Sequence, residues 1–318
     1  NSPGNFTAAK LRWVQENQPD IFARIHKIML PGDFIAMKLS GVINTTASGL
    51  SEGTLWDFKE NRIATELLAH WGISTDVIPD VVPSFGVQSI VSDAVAAELG
   101  LRKGVKICYR AGDQPNNAFS LNVLEPGEVA ATAGTSGVIY GVTDKITYDP
   151  QSRVNTFAHV NHTDQLNRLG VLLCINGTGI LNSWVKKMVG AGNDYPQMNQ
   201  AASQIQPGSD GLQIMPFGNG AERIFNNKKA DSGIQNLNFN IHQSGHLIRS
   251  ACEGIVFAMN YGFDVMKSVG ASGDVVRAGN ANLFLSPVFR EIFTNTTQTT
   301  LELYNTSGAE GAARGAAF

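Results

Sequence analysis

Short, mostly apolar runs divide this chain and predict strands. Four of them are rich in β-branched, aromatic or other apolar residues, and each is followed within three residues by glycine, asparagine or aspartate. They are Val105–Tyr109, residues 128–133, residues 138–142 and Val171–Ile175. The first and last of these runs are expected to be buried strands.

Other segments repeat apolar residues at helical spacing. This spacing predicts helices over Lys10–Gln15, Ile21–Met29 and Ile63–Trp71. Ser92 has the form of an N-cap and predicts a helix through Ala94–Leu99. Helices and strands therefore alternate along the chain, which predicts an α/β fold.

The segment that begins near His246 shows the clearest helical period. Its apolar residues follow one another at steps of four or seven, so they lie on one face that packs against a sheet. These residues are Leu247, Ala251, Ile255, Met259 and Met266. Glu253, on the same helix, is expected to make a structural hydrogen bond.

Gly134–Gly137 separates two of the predicted strands and predicts a hairpin turn. Its glycines permit positive φ and close approach of the backbone, and Thr135 with Ser136 adds two hydroxyl donors. Such turns form concave sites for anions such as phosphate. The alternative is a hairpin with no ligand.

Asp113 and Gln114 follow the strand predicted over Val105–Tyr109, after a tight exit at Ala111 and Gly112. A carboxylate at this place can accept the proton of a hydroxyl that attacks phosphorus, and the neighbouring amide can hold a second hydroxyl. A simple turn, in which the aspartate bonds nearby backbone, is the alternative. Both motifs together suggest phosphoryl transfer to a hydroxyl.

Composition excludes several classes of protein. The net charge is −3 over 318 residues, with no basic stripe for nucleic acid and no polybasic tail for a membrane surface. No apolar run reaches the length of a membrane span, and no signal segment opens the chain, so a cytoplasmic location is expected. Cys108, Cys174 and Cys252 are widely spaced in apolar sequence and are expected in the core.

Two other chemistries find little support in the sequence. Ser136 lacks the strand–turn–helix context of a hydrolase nucleophile. His159 and His162 lie in sequence that reads as extended and have no evident third ligand, so no metal site is predicted. Both histidines are expected at the surface or in hydrogen bonds.

Blocks along nearly the whole chain resemble the FGGY family of two-domain carbohydrate kinases, and among them the xylulose kinases. They occur in the order that the family shows. In the first part of the chain they are Thr7–Trp13, Leu30–Ile35, Leu39–Gly41, Ser51–Asp57 and Gly112–Gln114. In the second part they are Gly134–Gly137, Asn176–Gly179, Pro216–Phe217, Gly220–Arg223 and the helix with Ser250–Gly254.

The resemblance implies an actin-like, ribonuclease-H-like ATPase fold with two domains, over 1–121 and 122–318, and a cleft between them for a sugar. It implies ATP and Mg²⁺ as cofactors and a homodimer as a possible assembly. Asp113 would be the general base, Gln114 would bind the substrate, and Gly134, Thr135, Ser136 and Gly137 would hold phosphate. Gly177, Thr178, Gly279 and Asn280 would contact the nucleotide. D-xylulose is the expected substrate.

The chain departs from the family in three places. Its adenine loop, Gly279–Asn282, keeps only the first glycine of a glycine-rich segment. It leads to Ser286 and Pro287, which predict a new helix. The family's early Asp-x-Gly strand and its last helices have no counterpart, which is expected of a fragment. A non-catalytic relative that binds sugar or regulates is therefore the alternative function.

Overall fold

The computed structural model of the protein describes residue 4, residues 6–189 and residues 194–318. Helices and strands alternate along the chain, as predicted. The helices are α1 Thr7–Asn17, α2 Pro19–Phe22, α3 Pro31–Ser40, α4 Ala47–Glu52, α5 Thr65–His70, α6 Asp93–Glu98, α7 Asp113–Ser120, α8 Gly179–Met188, α9 Tyr195–Ser203, α10 Ser244–Ser268, α11 Pro287–Thr297 and α12 Gly308–Ala317.

The strands form one large sheet and five small ones in the described residues. They are β1 Asn44–Thr46, β2 Trp56–Asp57, β3 Arg62–Ile63, β4 Asp80–Val82, β5 Phe85–Ile90, β6 Lys106–Tyr109, β7 Val129–Ala133, β8 Gly137–Thr143, β9 Asn155–Ala158, β10 Leu169–Ile175, β11 Gln213–Met215, β12 Ala221–Glu222, β13 Lys228–Lys229, β14 Gly233–Gln235, β15 Val275–Gly279 and β16 Thr300–Tyr304.

The large sheet has the strand order β16-β15-β7-β8-β10-β9. Strands β16, β15 and β7 are parallel, whereas β7, β8, β10 and β9 pair in antiparallel fashion. All six strands follow residue 128. The boundary between two domains, predicted between residues 121 and 122, stays a prediction. Residues 1–3, at the start of the first predicted domain, lie outside the described residues.

Apolar layers cover both faces of this sheet. One face packs against α10, whose Ala251, Ile255, Met259 and Met266 are all buried, which confirms the predicted helix face. On the other face, Ala118 of α7 packs with residues of β7, β8 and β10. α7 is therefore held against the sheet by its second half, while its first residue lies away from that contact.

The local start signals predicted from sequence are confirmed. Ser92 accepts a hydrogen bond from the Val95 N–H at the start of α6, and Ser286 accepts one from the Phe289 N–H at the start of α11. The predicted helices α1, α5 and α10 and the predicted strands β6, β7, β8 and β10 are also present, with bounds that differ by a few residues.

The helix predicted over Ile21–Met29 is wrong beyond Phe22. The Ile28 N–H donates instead to the Val77 carbonyl, and the Lys27 ammonium donates to the Ile78 carbonyl. Leu30 precedes Pro31, which disfavours helical backbone at position 30. Contacts with a distant segment therefore replace the local helix.

Strand β6 is present, but the prediction that it is buried is wrong. Lys106 is exposed and the other three residues are only half-buried, because β6 pairs only with β5 in a two-stranded sheet. α12 packs against β6 and α7, with Gly315 directly against the Tyr109 ring. None of the helices in the described residues is long and apolar enough to cross a bilayer.

Candidate functional site

Asp113 is the first residue of α7, and Gln114 is the second. Gly112 is the N-cap and has extended backbone, with no side-chain cap. The Asp113 side chain is exposed, and within the described residues it takes part in no hydrogen bond or ion pair. A carboxylate at a helix N-terminus is stabilised by the helix dipole. The Asp113 carboxylate is therefore stabilised by the start of α7 and exposed, so a ligand can reach it.

Helix α4 holds the start of α7 in place. The Ser48 hydroxyl accepts a hydrogen bond of 3.1 Å from the Gly112 N–H, and the Ser51 hydroxyl accepts one of 2.8 Å from the Ala158 N–H on β9. α4 thus connects the first turn of α7 with the edge of the large sheet.

Glu52 is the last residue of α4 and lies against Gly112. A Cβ atom at position 112 would stand 2.0 Å from the Glu52 Oε1 atom, so a side chain there would displace the Glu52 carboxyl group. That oxygen is buried and has no hydrogen-bond partner within the described residues. Burial, together with the neighbouring Asp113, raises the pKa of Glu52 to about 8. The sequence offered Glu52 only as part of a resembling block, with no signal that it reaches Asp113.

Arg110 anchors the strand that leads to Asp113. Its guanidinium donates to Asp33 at 2.9 Å, to the Asn44 carbonyl at 3.1 Å and to Gln88 at 2.8 Å. Burial raises the pKa of Asp33, whereas the Thr45 hydroxyl and Arg110 oppose this rise. This buried network joins α3, β1 and β5 just before α7 begins.

The predicted hairpin joins β7 to β8, with Ala133 opposite Gly137. The Gly134 and Thr135 carbonyls accept hydrogen bonds of 2.9 and 3.3 Å from the N–H groups of Gly179 and Ile180 at the start of α8. Because the carbonyl and N–H of a trans peptide point in opposite directions, the N–H groups of Thr135 and Ser136 face away from α8. The turn can therefore offer two donors to an anion.

Positive φ is absent at both glycines of this hairpin, Gly134 and Gly137, and close packing requires glycine only at Gly137. The positive φ that these glycines permit is thus not used in the turn. A Cβ atom at Gly137 would lie 2.6 Å from the Thr178 hydroxyl oxygen, whereas one at Gly134 would meet nothing closer than 3.7 Å. The turn is tight at Gly137 and open at Gly134.

A cavity of about 500 Å³ lies beside the hairpin. Its volume suits a nucleotide-sized ligand. Residues from the hairpin, α8, α9, α10 and the segment just before α11 line it, among them Gly134, Thr135, Gly179, Tyr195, Asn282 and Ser286. Sequence reasoning missed Tyr195, because nothing in the local sequence ties α9 to this hairpin.

The four predicted nucleotide residues flank this cavity without lining it. Gly177 lines a neighbouring cavity of about 390 Å³. Thr178 is fully buried, and its hydroxyl donates a hydrogen bond to the Ile175 carbonyl. Gly279 ends β15, and the Asn280 amide donates to Asn305 at 3.1 Å. The cavity-lining positions are their near neighbours, Gly179 and Asn282.

Two other buried titratable groups make structural hydrogen bonds. His159 is fully buried between the Tyr140 hydroxyl and the Val123 carbonyl, and burial lowers its pKa to about 4. The Glu253 carboxylate accepts hydrogen bonds from the Gly208 N–H and the Ser209 hydroxyl, as expected of a structural acceptor. Within the described ranges no cluster of three or more His, Cys, Asp or Glu side chains could hold a metal.

The three cysteines are free. Cys252 is buried as expected, and it contributes to the wall of the large cavity. Cys108 and Cys174 are only half-buried, so the expectation of core positions holds for one cysteine of the three.

Comparisons with known proteins agree with this geometry. Residues 3–120 match the N-terminal domain of the FGGY family of carbohydrate kinases. The chain is 29% identical over 270 residues to the xylulose kinase of Bacillus subtilis (strain 168), covering 84% of this chain and 52% of that protein. It is 28% identical over 320 aligned residues to the xylulose kinase of Escherichia coli (strain K12), covering 99% of this chain and 63% of that protein.

A solved structure shows the same architecture. The crystal structure of xylulose kinase from Rhodospirillum rubrum matches with a TM-score of 0.88 and 25% identity, covering 99% of this chain and 63% of that chain. This chain thus spans 52% to 63% of the length of these relatives. The architecture is the predicted actin-like ATPase fold.

Proposed function

We propose that the chain belongs to the FGGY family of carbohydrate kinases and serves ATP-dependent phosphorylation of a sugar hydroxyl, with D-xylulose as substrate and D-xylulose 5-phosphate as product. The observation that carries this proposal is the exposed carboxylate of Asp113 at the first position of α7. In a chain similar to xylulose kinases over nearly its whole length, such a group suits a general base.

On the acceptor side, Asp113 takes the proton of the sugar hydroxyl while the hydroxyl oxygen attacks the γ-phosphorus. The new O–P bond forms as the bond from phosphorus to ADP breaks, and the proton stays on the Asp113 carboxyl. Gln114, one position later on the same turn, orients the sugar through a second hydroxyl. Positioning of the reactants supplies most of the acceleration in such reactions.

On the phosphate side, the backbone N–H groups of the Gly134–Gly137 turn stabilise the transferring phosphate oxygens. The nucleotide occupies the cavity of about 500 Å³ beside this turn. Gly177, Thr178, Gly279 and Asn280 support that cavity from its flanks, and the sugar binds between the proposed domains 1–121 and 122–318. Closure of the two domains would exclude water.

Mg²⁺ would supply charge neutralisation for the phosphates of ATP. In kinases this ion is held largely by phosphate oxygens and water, with one or two carboxylates. The described residues contain no ready metal cluster, so no residue of this chain is assigned to it.

The test is ADP release by the complete natural protein with ATP and a panel of pentuloses, polyols and sugar acids. Turnover that depends on D-xylulose supports the proposal. Turnover that depends on another sugar would mean that the protein is a kinase for that sugar and that D-xylulose is not its substrate. Sugar binding without any turnover would replace the kinase with a non-catalytic sugar-binding or regulatory relative.

A further inference from the structure

Glu52 has no role in the function proposed above, although its carboxyl group lies beside the candidate base. Its Oε1 atom is buried without a hydrogen-bond partner in the described part of the chain. A buried polar atom without a partner costs free energy, so such an arrangement calls for an explanation. The neighbour that the carboxyl does have is the first turn of α7.

We propose that Glu52 is a positioning residue for Asp113, and that the two carboxyl groups form a coupled pair in which Glu52 stays neutral while phosphate is transferred. This inference rests on the proposed function, because it assigns a role within that reaction.

The geometry makes Glu52 and Asp113 a fixed pair. The Glu52 carboxyl group occupies the space that a Cβ atom would take at Gly112, the residue just before Asp113. The bond from the Gly112 N–H to the Ser48 hydroxyl ties α4 to the same turn. Asp113 is exposed, whereas the Oε1 atom of Glu52 is buried behind it.

The charged and titratable groups around Glu52 favour its neutral form. Asp113 on α7 raises the pKa of Glu52, and Glu52 in turn contributes to the raised pKa of the buried Tyr140 on β8. Asp57 on β2 is the next acidic residue after Glu52 along the chain, and its carboxylate accepts hydrogen bonds from the Lys59 and Glu60 N–H groups. No cation pairs with Glu52 within the described ranges. The N–H groups of Asp113 and Gln114 oppose the rise in pKa only in part.

Ionisation of Glu52 would place a second negative charge at the turn that carries Asp113, toward which the phosphoryl group moves in the proposed reaction. Repulsion between this charge and the phosphoryl group is stronger in a site that excludes water. Glu52 therefore lowers activity once it becomes charged.

The experiment compares the pH dependence of kcat/KM for ATP in the complete native protein, in Glu52→Gln and in the matched control Glu60→Gln. Glu60 is exposed, so its substitution makes the same chemical change away from the site. We expect native kcat/KM to fall about tenfold between pH 7 and pH 9.5. Glu60→Gln should show the same fall, whereas Glu52→Gln should show none. An equal fall in Glu52→Gln would overturn the inference.

A second measurement separates this inference from the proposed function. If the native protein shows no sugar-dependent turnover, the proposed function fails, and thermal unfolding between pH 4 and pH 9 then tests the carboxyl pair. Asp113→Asn should move the pH-dependent loss of stability to lower pH, because it removes one cause of the raised pKa of Glu52. An unchanged transition means that the two groups are not coupled. If Glu52→Gln does not fold, the unfolding experiment on Asp113→Asn tests the inference in its place.

Discussion

Two carboxyl groups at one helix start differ in exposure, and that difference assigns them different tasks. Asp113 projects from the first turn of α7 into solvent, where a substrate hydroxyl can reach it. Glu52 lies behind Gly112 with one oxygen buried. The chemistry at this site therefore depends on burial as much as on residue type.

Substitution of Asp113 by asparagine tests the proposed base. We expect the turnover number to fall about 10²-fold or more, while sugar affinity stays within about threefold, because the amide keeps the shape and cannot accept the proton. Steady-state kinetics and calorimetric sugar binding measure both quantities.

The matched control for this substitution is Asp93→Asn. Asp93 is likewise an exposed first residue of a helix, in α6, where it pairs with Lys103. It should leave turnover unchanged. Near-native turnover in Asp113→Asn would remove Asp113 from the mechanism.

The raised pKa of Glu52 also predicts how stability depends on pH. Its folded pKa of about 8 lies above its usual value of 4.5, so the folded state holds a proton that the unfolded state releases between these limits. The stabilisation from this group is complete below about pH 4.5 and is lost as the pH rises toward 8. The slope is at most about 1.4 kcal/mol per pH unit.

Urea unfolding of the native protein and of Glu52→Gln between pH 5 and pH 8 measures this contribution. The difference in unfolding free energy between the two proteins should change steadily over this range, with the native protein losing stability relative to the variant. A constant difference would mean that Glu52 titrates normally.

Among the elements, the β7–β8 hairpin combines packing against α8 with the proposed phosphate site in one turn. Its carbonyls bond the start of α8, and this leaves backbone N–H groups on the opposite side. Gly134 borders the cavity and has open space around it, whereas Gly177 is packed against the Pro216 carbonyl. The two glycines should therefore respond differently to a methyl group.

Gly134→Ala should keep the fold and weaken nucleotide binding. The added Cβ meets its nearest atom at 3.7 Å, so the unfolding free energy should change by less than about 1 kcal/mol. Nucleotide affinity, measured by calorimetry, should fall about tenfold because the backbone can no longer approach the phosphates as closely.

Substitutions of Gly32 and Gly177 serve as controls for Gly134→Ala. Gly32→Ala, with nothing within 4 Å, should change neither stability nor affinity. Gly177→Ala, whose Cβ would lie 1.3 Å from the Pro216 oxygen, should cost more than about 3 kcal/mol of stability. Unaltered nucleotide affinity in Gly134→Ala would exclude this turn from phosphate binding.

At the scale of the whole molecule, a buried ion pair joins the segments that precede the site. Arg110 and Asp33 are 10% and 7% exposed at their side chains, and Arg110 also contacts Asn44 and Gln88. Breaking such a pair leaves an uncompensated buried charge. The first part of the chain should therefore depend strongly on it.

Asp33→Ala should lower the unfolding free energy by about 3 to 5 kcal/mol, measured by chemical denaturation. The exposed pair of Arg62 and Glu66 provides the control, since Glu66→Ala should cost less than about 1 kcal/mol. Equal costs for the two variants would show that the Arg110 network does not hold these segments together.

Local signals in the sequence account for much of the fold. The caps at Ser92 and Ser286, the period of α10 and the hairpin after β7 were all predicted, because each depends on residues within a few positions of one another. The segment after Phe22 was predicted wrongly, because its backbone bonds residues about fifty positions away.

The sequence by itself determined the order of motifs, the α/β alternation, the resemblance to the FGGY family and the two candidate segments, Gly112–Gln114 and Gly134–Gly137. Only the tertiary structure decided that Glu52 meets Gly112, that Tyr195 and Asn282 share a cavity with the hairpin, and that β6 is half-exposed. Local propensity acts through neighbours along the chain. Burial, pKa and cavity shape arise from contacts between distant segments, which spacing in a single sequence does not encode.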